Sequence, residues 1–114
     1  MVCYLGGIGH APGYPLFTAL CQQVVPYFPL SVIAGNLLSS IFGSLACVIF
    51  YKCLRLLSLD ALTALTAALV FGFCGTMWAQ SIIIEVYSLA VLGFVTCWLL
   101  LLFWVSGKGA SYLY

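Results

Sequence analysis

The sequence predicts an all-α integral membrane protein, with about three transmembrane helices preceded by a Gly/Pro loop and a short interfacial helix. Of its 114 residues, 66% are hydrophobic and 4% are charged, which is too little polar surface to cover a water-soluble core of this size. The charged residues Lys52, Arg55, Asp60, Glu85 and Lys108 leave between them apolar runs long enough to cross a hydrocarbon layer of about 30 Å, which takes roughly 20 helical residues. A formal net charge of +1 offers no electrostatic footprint for nucleic acid and excludes that class of partner.

Residues 1–31 are read as a loop and an interfacial helix. Met1 leads directly into Leu5-Gly6-Gly7-Ile8-Gly9-His10, without the basic and apolar regions of a signal peptide. In Gly9-His10-Ala11-Pro12-Gly13-Tyr14-Pro15 two prolines and two glycines rule out regular helix and favour a fixed bend. The stretch from Leu16 to Val25 is apolar, is stopped by Pro26 and Pro29, and is too short to cross, so it is expected to lie at the interface.

The first span is expected at 32–51, ending where Lys52 and Arg55 arrive, with a loop up to Asp60. From Ala61 to Val105 only Glu85 is charged, and this run is twice what one crossing uses, so it must fold back. Spans are expected at 61–79 and 86–105, with a turn between Gly75 and Glu85 where Thr76, Gln80 and Ser81 collect. Residues 106–114 form the tail. Basic residues stay cytoplasmic, so Lys52, Arg55 and Lys108 set one face as cytoplasmic and send the His10 loop and the Glu85 turn to the other. Gly35, Ser39 and Gly43, four apart, form a ridge for close helix approach, either within the chain or as a helix–helix partner face. The six cysteines show no C-x-x-C pairing and read as small packing residues; neither a metal nor a cofactor is called for.

Glu85 is the leading candidate for a working residue, because an ionisable group at a membrane-embedded turn is costly unless used. Its competing role is to favour the start of the third span through the helix dipole. His10, the single histidine, can move a proton near neutral pH, and it is expected on the same face as Glu85. Trp78, Tyr87, Tyr14 and Tyr27 gather near that interface, as aromatic belts do.

Leu5 to Phe17, with the core Gly-His-Ala-Pro-Gly-Tyr-Pro-Leu, resembles the first large lumenal loop of membrane protein O-mannosyltransferases of the C-type glycosyltransferase superfamily, whose usual form is His-Pro-Pro-Gly-Tyr-Pro-Leu; Ala11 replaces the first proline. Asn36-Leu37-Leu38-Ser39 with Phe42-Gly43 looks like that family's next span. Trp78-Ala79-Gln80 and Glu85-Val86-Tyr87-Ser88-Leu89 look like its Trp-x-Gln and Glu-Val-Tyr stretch. The resemblance implies transfer of a sugar, mannose by the family, from a lipid-phosphate donor to protein hydroxyls on the lumenal side. His10, Tyr14, Gln80, Glu85 and Tyr87 are the matched positions expected to shape the substrate cleft. No catalytic residue is assigned, since the family's acidic base sits on a helix that would precede Met1, and the chain is expected to be a fragment or truncated relative. The implied location is the endoplasmic reticulum in a eukaryote or the inner membrane in a bacterium. A second reading is a small oligomeric interaction or transport protein, using the Gly35, Ser39 and Gly43 ridge and Glu85 as an intramembrane site.

Overall fold

The computed structural model describes residues 15–27, 30–83 and 86–107, all of them helical or in short connections. Helix α1 (Pro15–Val24) runs into a single 3-10 turn, Val25–Tyr27. Proline suits the first turn of a helix, where its missing N–H is not needed, which explains why α1 starts at Pro15. Helix α2 (Ser31–Leu56) has 26 residues, about 39 Å at the usual rise per residue. It exceeds the expected 32–51 because its last turns carry Lys52 and Arg55, exposed long side chains that reach water from a helix end.

Helices α3 (Ala61–Phe73) and α4 (Gly75–Ile82) replace the single second span expected at 61–79. They are bent by 60° at Cys74, whose backbone is extended (φ −61°, ψ 142°). Gly72 and Gly75 flank the break and weaken the helix locally. Across the bend the rings of Phe73 and Trp78 stack with centroids 5.5 Å apart. The window expected as a turn is mostly α4, because Ser81 Oγ donates to Met77 O (2.8 Å), one turn back, and so satisfies itself inside a helix. Helix α5 (Tyr87–Val105) follows. Two helices, Val32–Leu56 and Tyr87–Val105, are long and apolar enough to cross a membrane, and the bent pair makes a third if it forms one span. The protein is an all-helical membrane protein.

Helix α2 is the axis of the bundle. One apolar cluster joins Phe17 and Cys21 of α1 to Ala34 and Leu38 of α2, with Val86 and Leu89 against it. A second joins Ala46 of α2, Met77 of α4 and Val95 of α5, flanked by Phe71 and Val91. Gly35, Ser39 and Gly43 are all buried within the chain, so the ridge is used internally and presents no face to a second helix. Outward lie Leu62, Val70, Phe94, Leu100 and Trp104, which suits a solvent of lipid. Cys21 packs in the first cluster as expected of the cysteines and is in addition disulfide-bonded. Cys47, Cys53, Cys74 and Cys97 are free thiols.

The α2–α3 connection is built from local rules. Leu59 N donates to Leu54 O (3.3 Å) and Ser58 N to Arg55 O (3.1 Å), the paired bonds of a Schellman cap, and Ser58 holds φ 67°, a left-handed position that favours glycine. Arg55 Nη1 donates to Leu59 O (2.9 Å). Asp60 then caps α3, accepting from Thr63 N (3.0 Å), and hydrogen bonding from the Thr63 side chain first, with this backbone bond second, holds its carboxyl below the ordinary value.

Two outcomes follow from this loop. Ser58→Gly removes the left-handed strain, on the order of 1 kcal/mol, and raises the thermal midpoint in detergent; an unchanged or lower midpoint would contradict the cap. Because the folded carboxyl of Asp60 titrates below its unfolded value, its contribution is complete above the unfolded pKa and is lost as pH falls through the lower folded one. The midpoint difference between wild type and Asp60→Ala is therefore largest at neutral pH and shrinks below about pH 4; a difference that stays constant over that range rules the capping carboxylate out.

Candidate functional site

In lipid, irregular backbone survives only where protein buries it or where it lines a cavity. The break at Cys74 meets this condition on two sides. Trp78 N donates to Cys74 O (2.9 Å), which closes the first turn of α4. The end of α4 is held by α2: Ser40 Oγ lies 2.8 Å from both Asn36 O and Ser81 O, its one proton shared between them. This satisfies a carbonyl in the last turn of α4, where no intrahelical partner exists. Gly43 permits the approach, since a Cβ there would collide with Ser81 Oγ and lie 3.1 Å from Ser81 Cβ. At the other half of the bundle Cys53 Sγ reaches Val95 O (3.8 Å), tying α5 to α2 near Lys52.

Two hollows flank the bent pair. One, of about 380 Å³, lies between α2 and the bend and is lined in part by Ser40, Ser44, Cys47 and Trp78. The other, of about 410 Å³, lies between the bend and α5, lined by Phe71, Cys74, Thr76, Met77, Gln80, Tyr87 and Val91. Gln80 Oε1 is buried without a hydrogen-bond partner, as is Ser88 Oγ on the first turn of α5. An orphaned acceptor in a low-dielectric interior costs about 1–3 kcal/mol, and such groups persist where something else uses them.

Of the residues expected at the cleft, Gln80 and Tyr87 line this second recess together. His10, Tyr14 and Glu85 lie outside the described residues. Sequence reading missed Thr76, Phe71, Met77 and Val91 as lining residues, because the break at Cys74 is what brings them around one hollow. The glycines at 72 and 75 were the available signal. Among the described residues no group of three metal-ligating side chains exists.

These features define a polytopic membrane protein in which a broken helix leaves an open hollow beside α5. Residues 2–111 match the model of the Protein O-mannosyl-transferase TMEM260 N-terminal domain, and the chain belongs to that family. Its relatives include Protein O-mannosyl-transferase TMEM260 of Mus musculus, 42% identical over 86 residues, covering 73% of this chain and 12% of that protein. Protein O-mannosyl-transferase tmem260 of Dictyostelium discoideum is 33% identical over 107 residues, covering 86% of this chain and 13% of the relative. The chain thus spans about an eighth of the length of these relatives. No solved structure matches it.

Gly43→Ala is expected to push α4 off α2, because the added methyl meets Ser81; overpacking of this kind costs about 1–3 kcal/mol. The midpoint in detergent falls, and Gly43→Ala combined with Ser81→Gly recovers most of it. Failure of the double variant to recover would show that the contact does not set the position of α4.

Proposed function

We propose that this chain forms part of the membrane domain of a glycosyltransferase that moves mannose from a lipid-phosphate donor to hydroxyls of a protein on the lumenal side. The single observation that carries the reading is its membership, over residues 2–111, in a family whose relatives are named protein O-mannosyl-transferases. The arrangement around the bend is consistent with it: an intramembrane recess with an unpaired acceptor suits a ligand that arrives in lipid with polar groups attached. His10, Tyr14, Gln80, Glu85 and Tyr87 are proposed to line the substrate cleft. Orientation by the basic residues puts this end away from the cytoplasm, facing the lumen of the endoplasmic reticulum in a eukaryotic host. Residues 1–31 are proposed as the lumenal loop and interfacial helix, 32–51, 61–79 and 86–105 as the crossings, the second bent, and 106–114 as the cytoplasmic tail.

The rival reading, a small oligomeric carrier built on Gly35, Ser39 and Gly43, finds that ridge buried inside the chain and gains no support.

The test is a chimera in which this sequence replaces the matching segment of the Mus musculus relative, assayed in membranes with a radiolabelled lipid-phosphate mannose donor. Transfer to protein is expected, and Glu85→Gln should lower it at least about tenfold, a loss of roughly 1.4 kcal/mol of transition-state stabilisation. An inserted chimera that transfers nothing, beside an active parent, would sink the reading. Undiminished transfer by Glu85→Gln would leave that residue a topological marker.

A further inference from the structure

The two longest helices are staggered, and the stagger decides what surrounds the bases at the end of α2. Helix α5 advances in the same direction as α2: Leu89 packs on the cluster of Ala34 and Leu38, and Val95 on Ala46. Further along, Cys53 Sγ meets Val95 O (3.8 Å). From that level α2 ends at Leu56, about 4.5 Å on, whereas α5 continues to Val105, about 15 Å on. The overhang is apolar and uncovered, with Trp104 80% and Val105 76% exposed, so the hydrocarbon layer has to reach along it. Lys52 and Arg55, both exposed, therefore stand beside lipid and not in bulk water. Spacings of three and four put Ile41, Leu45, Val48, Lys52 and Arg55 on one exposed face of α2. That face is an apolar track ending in two cations.

We infer that this face binds an anionic phospholipid of the leaflet on the Lys52 side, its phosphate held by the Lys52 ammonium and the Arg55 guanidinium and an acyl chain lying along Val48, Leu45 and Ile41. Charge complementarity selects the occupant. Among the described residues Lys52 has no hydrogen-bonding or ionic partner. Arg55 spends one of its five N–H donors on Leu59 O (2.9 Å). The carboxylate nearest in the chain, Asp60, is turned to Thr63 N (3.0 Å) and does not neutralise the pair; Lys108, the third base, lies outside the described residues. Long cationic side chains on an apolar surface raise their heads to the headgroup layer, where a lipid phosphate supplies the missing opposite charge. Phosphatidylcholine fits less well, because its quaternary ammonium adds a cation beside two others. A free phosphate ion leaves the apolar track unused. The site lies at the opposite end of the bundle from Gln80 and Tyr87 and does not depend on the transferase reading.

The experiment releases the whole chain from nanodiscs of equal phosphatidylglycerol and phosphatidylcholine, with matched acyl chains, and identifies the first retained lipid by native mass spectrometry. Phosphatidylglycerol is expected to be retained at least about fivefold over phosphatidylcholine. Lys52→Gln, at an exposed position without a partner, should lower that preference at least about twofold and leave the thermal midpoint in phosphatidylcholine unchanged. Lys52→Arg should keep the preference, and Lys52→Gln combined with Arg55→Gln should abolish it. Equal retention of the two lipids by the wild type, or a preference that survives the double variant, overturns the inference. Displacement of the lipid by inorganic phosphate would make this a free-anion site, and stronger retention of a polyprenyl phosphate than of phosphatidylglycerol would make it a contact for the donor class; either result overturns it as well.

Discussion

Every part of this structure answers to one constraint: in a hydrocarbon solvent the backbone has no water to fall back on, so each amide must find its partner inside the chain. Helices meet that demand over most of the described residues. Where they stop, the protein supplies substitutes. On the charged side of the bundle the Schellman bonds of Ser58 and Leu59, the Arg55 guanidinium and the Asp60 carboxylate account for the exposed groups within four residues. Within the apolar layer the substitutes are fewer and more specific, and there the Ser40 hydroxyl binds the carbonyl of Ser81.

The bend at Cys74 holds irregular backbone between two apolar helices. Its position is determined on one side by glycines that favour no continuation and on the other by the packing of Met77 and Ser81 against α2. The small residues Gly35, Ser39 and Gly43 of α2 are buried within this chain. Gly43 brings α4 of this same chain close enough for the Ser40 hydroxyl to bond the Ser81 carbonyl, which dispersion between smooth apolar helices would not do.

The sequence made the class of fold legible because the signal there is one of length: uncharged runs either reach about 20 residues or do not. The start of the first span and both ends of the last fall within a residue of α2 and α5, whereas α2 runs on through Lys52 and Arg55, which mark where its polar side chains begin and not where it stops. The break at Cys74 was hidden for a physical reason. Gly72 and Gly75 are tolerated in membrane helices, so their presence lowers helix stability without specifying a bend; the deciding interactions, Ser40 with Ser81 and Gly43 with Ser81, join residues about forty apart. The site was legible only through resemblance. Gln80 and Tyr87 fall on one recess, yet spacing alone does not say that a residue near the end of one helix and the first residue of the next face the same hollow.

Two polar residues of similar place in the bundle show how structure and function divide. Ser40 and Gln80 both stand among apolar neighbours in the half of the molecule away from Lys52. The serine has its partners, its one proton shared between two carbonyls at 2.8 Å each, and its work is finished when the chain folds. The glutamine has an acceptor with no partner, although leucine or methionine at that position would fill similar space at no polar cost. Folding alone gives no reason for an amide there.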